Sequence, residues 1–330
     1  SSDVCSSDLA AFGGDPNNVL IFGQSAGAAS TALHVVSPYS QGLFHKAIYE
    51  SGTEQNVWSL NYPNQSPETY VYQLAEKTNC TRPTDPEIVE CLRSVSAQDI
   101  RNQQDVECTP GYFCQGFAPI VDGPGGFIPK MPKELKEELG SAAVPTISGI
   151  CKDDGSLYTQ AYIPESNEGG FNSTEFDYYL RTRILDIFAE QLTEVQYENV
   201  FQAIDWNYVP WPYLEDEDGN RQAMNQLLTD GAFGYSWDRA LKTNSEQNPA
   251  TYAFVQAFRS LNATSFIPEW MGVPHMGELP YVWSYAHLLN NPDVRDDSEI
   301  YFDIIGWTPE DITYADYVST LFTNFAKYND

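Results

Sequence analysis

The feature that most constrains the fold is a short segment, residues 19–27, in which an apolar run leads directly into a glycine-bounded turn. Residues 19–22 read Val-Leu-Ile-Phe, which is typical of a parallel strand that is buried on both faces. Residues 23–27 read Gly-Gln-Ser-Ala-Gly, and residues 28–36 have the composition of a helix. A buried strand that turns directly into a helix is typical of α/β folds, so the segment predicts an α/β protein.

The turn fits the G-x-S-x-G pattern of a nucleophile elbow, with Ser25 at its centre. We expect glycine at Gly23 and Gly27 because a Cβ at either position would collide with the neighbouring strand or helix. The pattern predicts that Ser25 is a nucleophile and that the Ala26 N–H, at the helix N-terminus, faces a developing oxyanion. The same five letters also fit a glycine-rich turn with an inert serine, so the prediction depends on the strand and helix around them.

A serine nucleophile needs a base, and in folds with this turn the chain order is Ser, then Asp or Glu, then His. The chain has four histidines. His34 lies on the helix after the turn and His45 follows too closely, so neither can reach Ser25 from above the sheet. His287 lies in a helical run and reads as a packing or surface residue. We therefore predict that His275, in a loop after a predicted strand, is the base.

The charge balance limits the partners of the chain. It contains 46 acidic and 17 basic residues, for a net charge of −29. Such a charge repels nucleic acid and anionic membranes, so we predict no nucleic-acid binding. No apolar stretch approaches the about 20 residues of a membrane span. The 330 residues are enough for one sizeable α/β core.

Several ordered strings of the sequence closely resemble the cholinesterase/type-B carboxylesterase family, from about Ala10 to Asp330. The strings that carry the resemblance are residues 12–19, 23–30, 44–48 and 51–52. The resemblance implies an α/β-hydrolase fold, with a mostly parallel sheet flanked by helices and without the family's N-terminal strands. It implies a serine carboxylic ester hydrolase that works through an acyl-enzyme on a small-molecule ester, and it implies neither a metal nor a cofactor.

The acid of the resulting Ser-Asp-His triad is implied by the resemblance together with a predicted strand at residues 145–150. Asp154 occupies the family's acid position, beyond the C-terminal end of that strand, where α/β enzymes place their chemistry. The family usually has Glu there, so the Asp154 loop must approach His275 by roughly 1.5 Å more, the length of one carbon–carbon bond. Asp153 should point the other way. A solvated acidic loop is the alternative for Asp154.

The resemblance also implies a set of substrate-binding residues, and ordinary packing is the alternative for Ser51 and Trp58. They are Gln24, Ser51, Trp58, Phe113, Phe117, Leu157 and Tyr158. Gln24 stands where cholinesterases carry Glu, and Leu157 stands where they carry an aromatic residue. A quaternary ammonium needs an anionic neighbour and aromatic faces, so both differences argue against choline esters. A true cholinesterase and a non-catalytic adhesion module remain the alternatives; adhesion members of the family usually lose the serine or the histidine.

Cysteines and glycosylation sequons indicate a secreted protein or the lumen of the secretory pathway. The sequons begin at Asn64, Asn79, Asn172 and Asn262. The resemblance implies a disulfide between Cys80 and Cys91. Cys108 and Cys114 could form a second small loop, and Cys151 reads as a buried free thiol.

The rest of the chain is expected to form further helices and strands. We predict helices at 67–78, 176–192, 221–242 and from Thr308, a capping box of Thr193 with Gln196, and strands at 46–50 and 252–258. The inward side chains of the last helix should be Val318, Leu321, Phe322 and Phe325. Residues 1–9 match nothing in the family and are expected to be non-native. Residues 10–330 are then one hydrolase domain, truncated at both ends and inactive as a fragment.

Overall fold

The fold was determined from a computed structural model that describes residues 8–62, 66–107, 116–140, 143–185, 192–260, 267–285 and 307–329. Several residues that the sequence analysis singled out lie outside this description. They are Asn64, Cys108, Phe113, Cys114, Asn262 and His287.

The described residues form one sheet of four parallel strands in the order β1-β2-β3-β4. The strands are β1 (Leu20–Gln24), β2 (Lys46–Glu50), β3 (Thr146–Cys151) and β4 (Thr251–Gln256). Parallel pairing joins Leu20 to Lys46, Ala47 to Thr146, and Thr146 to Thr251. All four strands therefore end at the same edge of the sheet, and this edge carries the candidate site.

Helices connect the strands and cover the sheet. In chain order they are α1 (Ala26–Val36), α2 (Glu68–Lys77), α3 (Asp85–Ser94), α4 (Ala97–Gln103), α5 (Pro132–Leu139), α6 (Ser156–Tyr162), α7 (Ser173–Tyr179), α8 (Glu194–Tyr208), α9 (Glu217–Thr229), α10 (Tyr235–Gln247), α11 (Leu279–Val282) and α12 (Pro309–Tyr328). This arrangement confirms the predicted α/β class, a parallel sheet flanked by helices.

The core has one part at the sheet and one part among the helices. β2 is buried along its whole length, and α1 packs Ala28, Ala32 and Val35 against it. A separate cluster, which includes Phe176, Leu180 and Met224, holds the helices α6 to α9 together. The α/β part positions the ends of the strands, and the helical part forms a wall beside them.

Strand β1 is less buried than the apolar run predicts. Its residues are half-buried, and Phe22 is 43% exposed. The reason is that β1 is the first strand in the sheet order and pairs only with β2 among the described residues. The prediction of a strand buried on both faces is therefore wrong for β1, whereas the next strand, β2, is buried along its whole length.

Two of the predicted helices are interrupted. The helix expected at 221–242 begins at Glu217, changes to a π-helical turn at Asp230–Gly234 and continues as α10. Likewise α7 ends at Tyr179 and a π-helical turn follows at Leu180–Ile184. A π-turn inserts a residue into the helical repeat, and an average periodicity does not show it.

The predicted helix ends agree better with the structure. Thr193 accepts from the backbone N–H of Gln196 and the Gln196 side chain accepts from Thr193 N, which confirms the capping box. Along α12, Val318 and Phe325 are buried, but Leu321 is 43% exposed. The inward orientation predicted for Leu321 is therefore wrong.

Candidate active site

Ser25 lies in the tight turn between β1 and α1. Its backbone adopts φ 57° and ψ −123°, a conformation that is unfavourable for a residue with a Cβ. The Ser25 N–H donates to the Glu50 carbonyl oxygen at 2.8 Å, which holds the turn against the end of β2. Ala26 begins α1, so its N–H has no acceptor within the helix.

The glycines around this turn differ in whether a side chain would fit at their position. A Cβ on Gly23 would lie 2.3 Å from the Gly27 backbone, and one on Gly52 would lie 2.5 Å from the Ser25 carbonyl oxygen. Both positions therefore need glycine. A Cβ on Gly27 would meet nothing within 4 Å. The collision expected at Gly27 is therefore wrong, because that position faces open space.

His275 and Asp154 form a buried pair at the carboxyl edge of the sheet. Nδ1 of His275 lies 2.8 Å from Oδ1 of Asp154, and Asp154 is completely buried. The other carboxylate oxygen, Oδ2, accepts from Ser51 Oγ and from Cys151 N, both at 2.8 Å. Three donors thus fix the orientation of the carboxylate.

The loop that carries His275 is anchored by two charged residues. Asp153 Oδ2 accepts from Val273 N at 2.9 Å, so Asp153 holds the loop backbone and not the imidazole. Arg259, just beyond β4, donates to the loop carbonyl oxygens of Ile267, Pro268, Glu269 and Gly272. Burial lowers the pKa of Arg259. The sequence analysis did not find Arg259, since nothing near it in sequence marks it as a partner of this loop.

The second ring nitrogen of His275 faces Gln24. The Gln24 amide nitrogen lies 3.3 Å from Nε2 of His275, at a sequence separation of 251 residues. No hydrogen bond between Ser25 Oγ and His275 is formed within the described residues. His34 and His45 have other partners, since His34 Nδ1 pairs with Ser40 Oγ and His45 Nδ1 accepts from Val19 N.

An aromatic cluster covers one side of His275. The Phe233 ring centroid lies 4.9 Å from the imidazole, 5.6 Å from Tyr158 and 5.8 Å from Trp58. Trp58 also donates from Nε1 to the Ala232 carbonyl oxygen at 2.9 Å. Phe233 is a residue that the sequence analysis missed. It lies in the π-helical turn Asp230–Gly234, and no sequence signal marks that turn.

The three other described residues that were expected to bind substrate have different surroundings. Leu157 is half-buried in the first turn of α6, next to Tyr158 of the aromatic cluster. Ser51 is buried and its hydroxyl donates a hydrogen bond to Asp154, so the structure places it beside the acid and not on an exposed surface. Phe117 is half-exposed, and its ring contacts Tyr70.

Behind Asp154 lie two further buried carboxyl groups, Glu50 and Glu278. Burial raises the pKa of Glu50 to about 8, and the charge of Glu278 contributes. Burial and then the charge of Asp154 raise the pKa of Glu278. Cys151 is a buried free thiol, as expected, and its Sγ donates to Glu278 Oε2 at 2.9 Å. Burial, followed by the charge of Glu278, raises the pKa of this thiol well above its usual range.

A second buried charge pair lies further from the site. Lys136 Nζ of α5 lies 3.0 Å from Glu54 Oε1, and both side chains are buried. Removing one partner of such a pair leaves an uncompensated buried charge. The pair ties α5 to the segment that follows β2, and it has no contact with Ser25 or His275.

The disulfide and two sequons lie in or next to helices outside the candidate site. Cys80 and Cys91 form a disulfide with a Cα–Cα distance of 5.5 Å. Asn79 is adjacent to it, and Asn172 is the N-cap of α7, where its Oδ1 accepts from Glu175 N. This bond leaves the Asn172 amide nitrogen available.

The described ranges contain no group of three or more His, Cys, Asp or Glu side chains that could hold a metal ion. In the same part of the chain, every helix is too short or too polar to cross a bilayer.

The fold, the serine turn and the His–Asp pair together define an α/β-hydrolase, and comparison with known proteins gives its family. A model of the "Carboxylesterase family" matches residues 5–330. The chain therefore belongs to the carboxylesterase family, which confirms the predicted resemblance.

Individual relatives are similar over almost the whole chain. Neuroligin-2 of Rattus norvegicus is 28% identical over 325 residues, which are 98% of the chain and 36% of that protein. Human neuroligin-3 is 26% identical with the same coverage. Human bile salt-activated lipase is 25% identical over 327 residues, 98% of the chain and 40% of the lipase. The chain thus spans less than half the length of these relatives.

Proposed function

We propose that the protein is a serine carboxylic ester hydrolase that works through an acyl-enzyme. The observation that carries this proposal is the buried His275–Asp154 pair, 2.8 Å between Nδ1 and Oδ1, beside the strained turn of Ser25. Such a pair orients an imidazole as a base for a serine hydroxyl. Membership of the carboxylesterase family supports the same chemistry.

In the proposed reaction Ser25 Oγ attacks the ester carbonyl carbon while Nε2 of His275 takes the hydroxyl proton. Asp154 holds Nδ1 and stabilises the imidazolium. The Ala26 N–H, at the start of α1, donates to the oxyanion. The carbon–oxygen bond to the alcohol breaks, and the alcohol leaves with the proton from Nε2. Water then attacks the acyl-enzyme by the same steps, releasing the acid and restoring Ser25.

A fluorophosphonate probe tests the nucleophile. In the full-length protein, which all the variants below also use, we expect the probe to label Ser25 and to leave Ser25→Ala unlabelled, because it reacts with a serine that a base activates. Ser30→Ala is the matched control, since Ser30 is an exposed serine on α1 whose Oγ donates to the Ala26 carbonyl oxygen. Peptide mass spectrometry locates the label. Labelling that survives Ser25→Ala would show that another residue is the nucleophile.

Simple carboxylic esters should be preferred over choline esters. The positions at issue, Gln24 and Leu157, offer neither a negative charge nor an aromatic face to a quaternary ammonium. The measurement is kcat/KM for a choline ester and for its neutral isostere. A preference for choline above about tenfold, or 1.4 kcal/mol, would favour the cholinesterase alternative.

A non-catalytic binding module is the second candidate. The relatives include neuroligins, whose name states no reaction, as well as a lipase, whose name states a hydrolase. The presence of Ser25, Asp154 and His275 together supports the enzyme. Wild-type protein that neither reacts with the fluorophosphonate nor hydrolyses esters would favour the binding module.

We further propose that the protein is secreted or lumenal and carries glycans on Asn79 and Asn172. The Cys80–Cys91 disulfide supports an oxidising compartment. The free amide nitrogen of Asn172 supports attachment there.

A further inference from the structure

Gln24 makes a contact that the proposed reaction does not use. It is the last residue of β1 and directly precedes Ser25, and its amide nitrogen lies 3.3 Å from Nε2 of His275. Nδ1 of the same ring lies 2.8 Å from Asp154 Oδ1. A carboxylate only accepts hydrogen bonds, so the proton of the neutral ring is on Nδ1 and the lone pair is on Nε2. The Gln24 amide therefore donates to that lone pair.

Ser25 needs the same lone pair. To act as base, His275 must take the Ser25 proton at Nε2. In the described residues Nε2 is bonded to Gln24, and no hydrogen bond joins it to Ser25 Oγ. One lone pair serves one strong donor at a time, so the amide and the hydroxyl compete. We propose that Gln24 is a positioning residue. In the resting site its amide occupies Nε2 of His275, and Ser25 displaces this amide when substrate binds. This inference rests on the proposed hydrolase function.

A glutamine suits this role because its amide has a donor end and an acceptor end. Once Nε2 has taken the proton it becomes a donor, and the Gln24 carbonyl oxygen can then accept from it after the amide rotates. A glutamate of the same length would only accept and would favour the protonated ring. A methionine of similar length would do neither. Three side chains of similar size therefore give three different outcomes.

The other groups that face His275 remain unchanged in all three proteins. Asp154 binds Nδ1 and the Phe233 ring lies against the imidazole. The buried Glu278 carboxyl interacts electrostatically with His275 and with Glu50. Differences between the three proteins therefore report on position 24 alone.

The first test measures the rate of Ser25 labelling by a neutral fluorophosphonate against pH. We expect Gln24→Met to react about fivefold faster at pH 8, the factor for one lost hydrogen bond of ordinary strength. In Gln24→Glu, the acid limb of the pH–rate profile should shift to higher pH by about one unit or more, because the carboxylate favours the protonated ring. Gln41→Met removes amide bonds to Val35 and Ser37, remote from the site, and should leave the rate unchanged. A Gln24→Met rate at or below that of the wild type, with normal folding, overturns the proposal.

The second test does not need catalysis. In histidine-labelled protein the ¹⁵N resonance of the unprotonated Nε2 of His275, assigned with His275→Gln, should move in Gln24→Met because the hydrogen bond is lost. An unchanged resonance would show that the hydrogen bond between Gln24 and His275 is absent, even if the enzyme is active. Wild-type protein that fails to react while the resonance still moves overturns the proposed hydrolase function and supports the Gln24 contact.

Discussion

The Asp154→Asn enzyme should lose about 10⁴-fold in kcat with little change in KM. The reason lies in the donors around the carboxylate. Ser51 Oγ and Cys151 N both donate to Oδ2, so an amide at this position keeps its oxygen there and turns its NH₂ toward His275. Nδ1 must then accept, and the ring proton moves to Nε2. The ring can no longer take the Ser25 proton.

Asp153→Asn is the matched control for this prediction. Asp153 accepts from Val273 N, and an asparagine oxygen can still accept that bond. We expect less than about a tenfold loss, since one ordinary hydrogen bond is retained. Both variants are compared with the wild type by kcat, KM and thermal unfolding. A larger loss of kcat in Asp153→Asn than in Asp154→Asn would show that Asp153 and not Asp154 is the acid.

Local sequence patterns predicted the elements that build the site. The apolar run before Ser25, the glycine needed at Gly23, and the strands ending at Glu50 and Cys151 correspond to the structure within one or two residues. These features depend on residues next to each other in the chain. A short run of strand-forming residues marks a strand in the sequence directly, even where tertiary pairing decides how much of it is buried.

The features that the sequence did not predict depend on distant residues. Phe233 reaches His275 because a π-turn shifts it relative to the helix on either side. Gln24 meets His275 across 251 residues, which no local pattern can indicate. Ser51 was expected to bind substrate, yet its hydroxyl donates a hydrogen bond to Asp154, because β2 and β3 are neighbours in the sheet. Tertiary pairing thus decided the role of each of these side chains.

The buried Glu50 carboxyl should make the stability of the protein depend on pH. In the unfolded chain a glutamate ionises near its ordinary pKa of about 4.3, whereas burial raises the pKa of Glu50 in the fold to about 8. Between these values the native state holds a proton that the unfolded state has released. The free energy of unfolding therefore falls as the pH rises from about 4.5 to 8. Below this window the group contributes nothing, and above it the fold carries the full cost of a buried charge.

Replacing Glu50 with glutamine should remove this cost. We expect Glu50→Gln to raise the free energy of unfolding at pH 8.5 by several kcal/mol, with an upper limit of about 5 kcal/mol from 1.36 kcal/mol per pH unit. At pH 5, where Glu50 is neutral in the fold, the gain should be small. Glu246→Gln, at an exposed position of α10, is the control and should change neither value. Urea unfolding at both pH values gives the measurement. An equal gain at pH 5 and pH 8.5 would show that packing and not charge is responsible, because Glu50 in the fold is neutral at pH 5 and charged at pH 8.5.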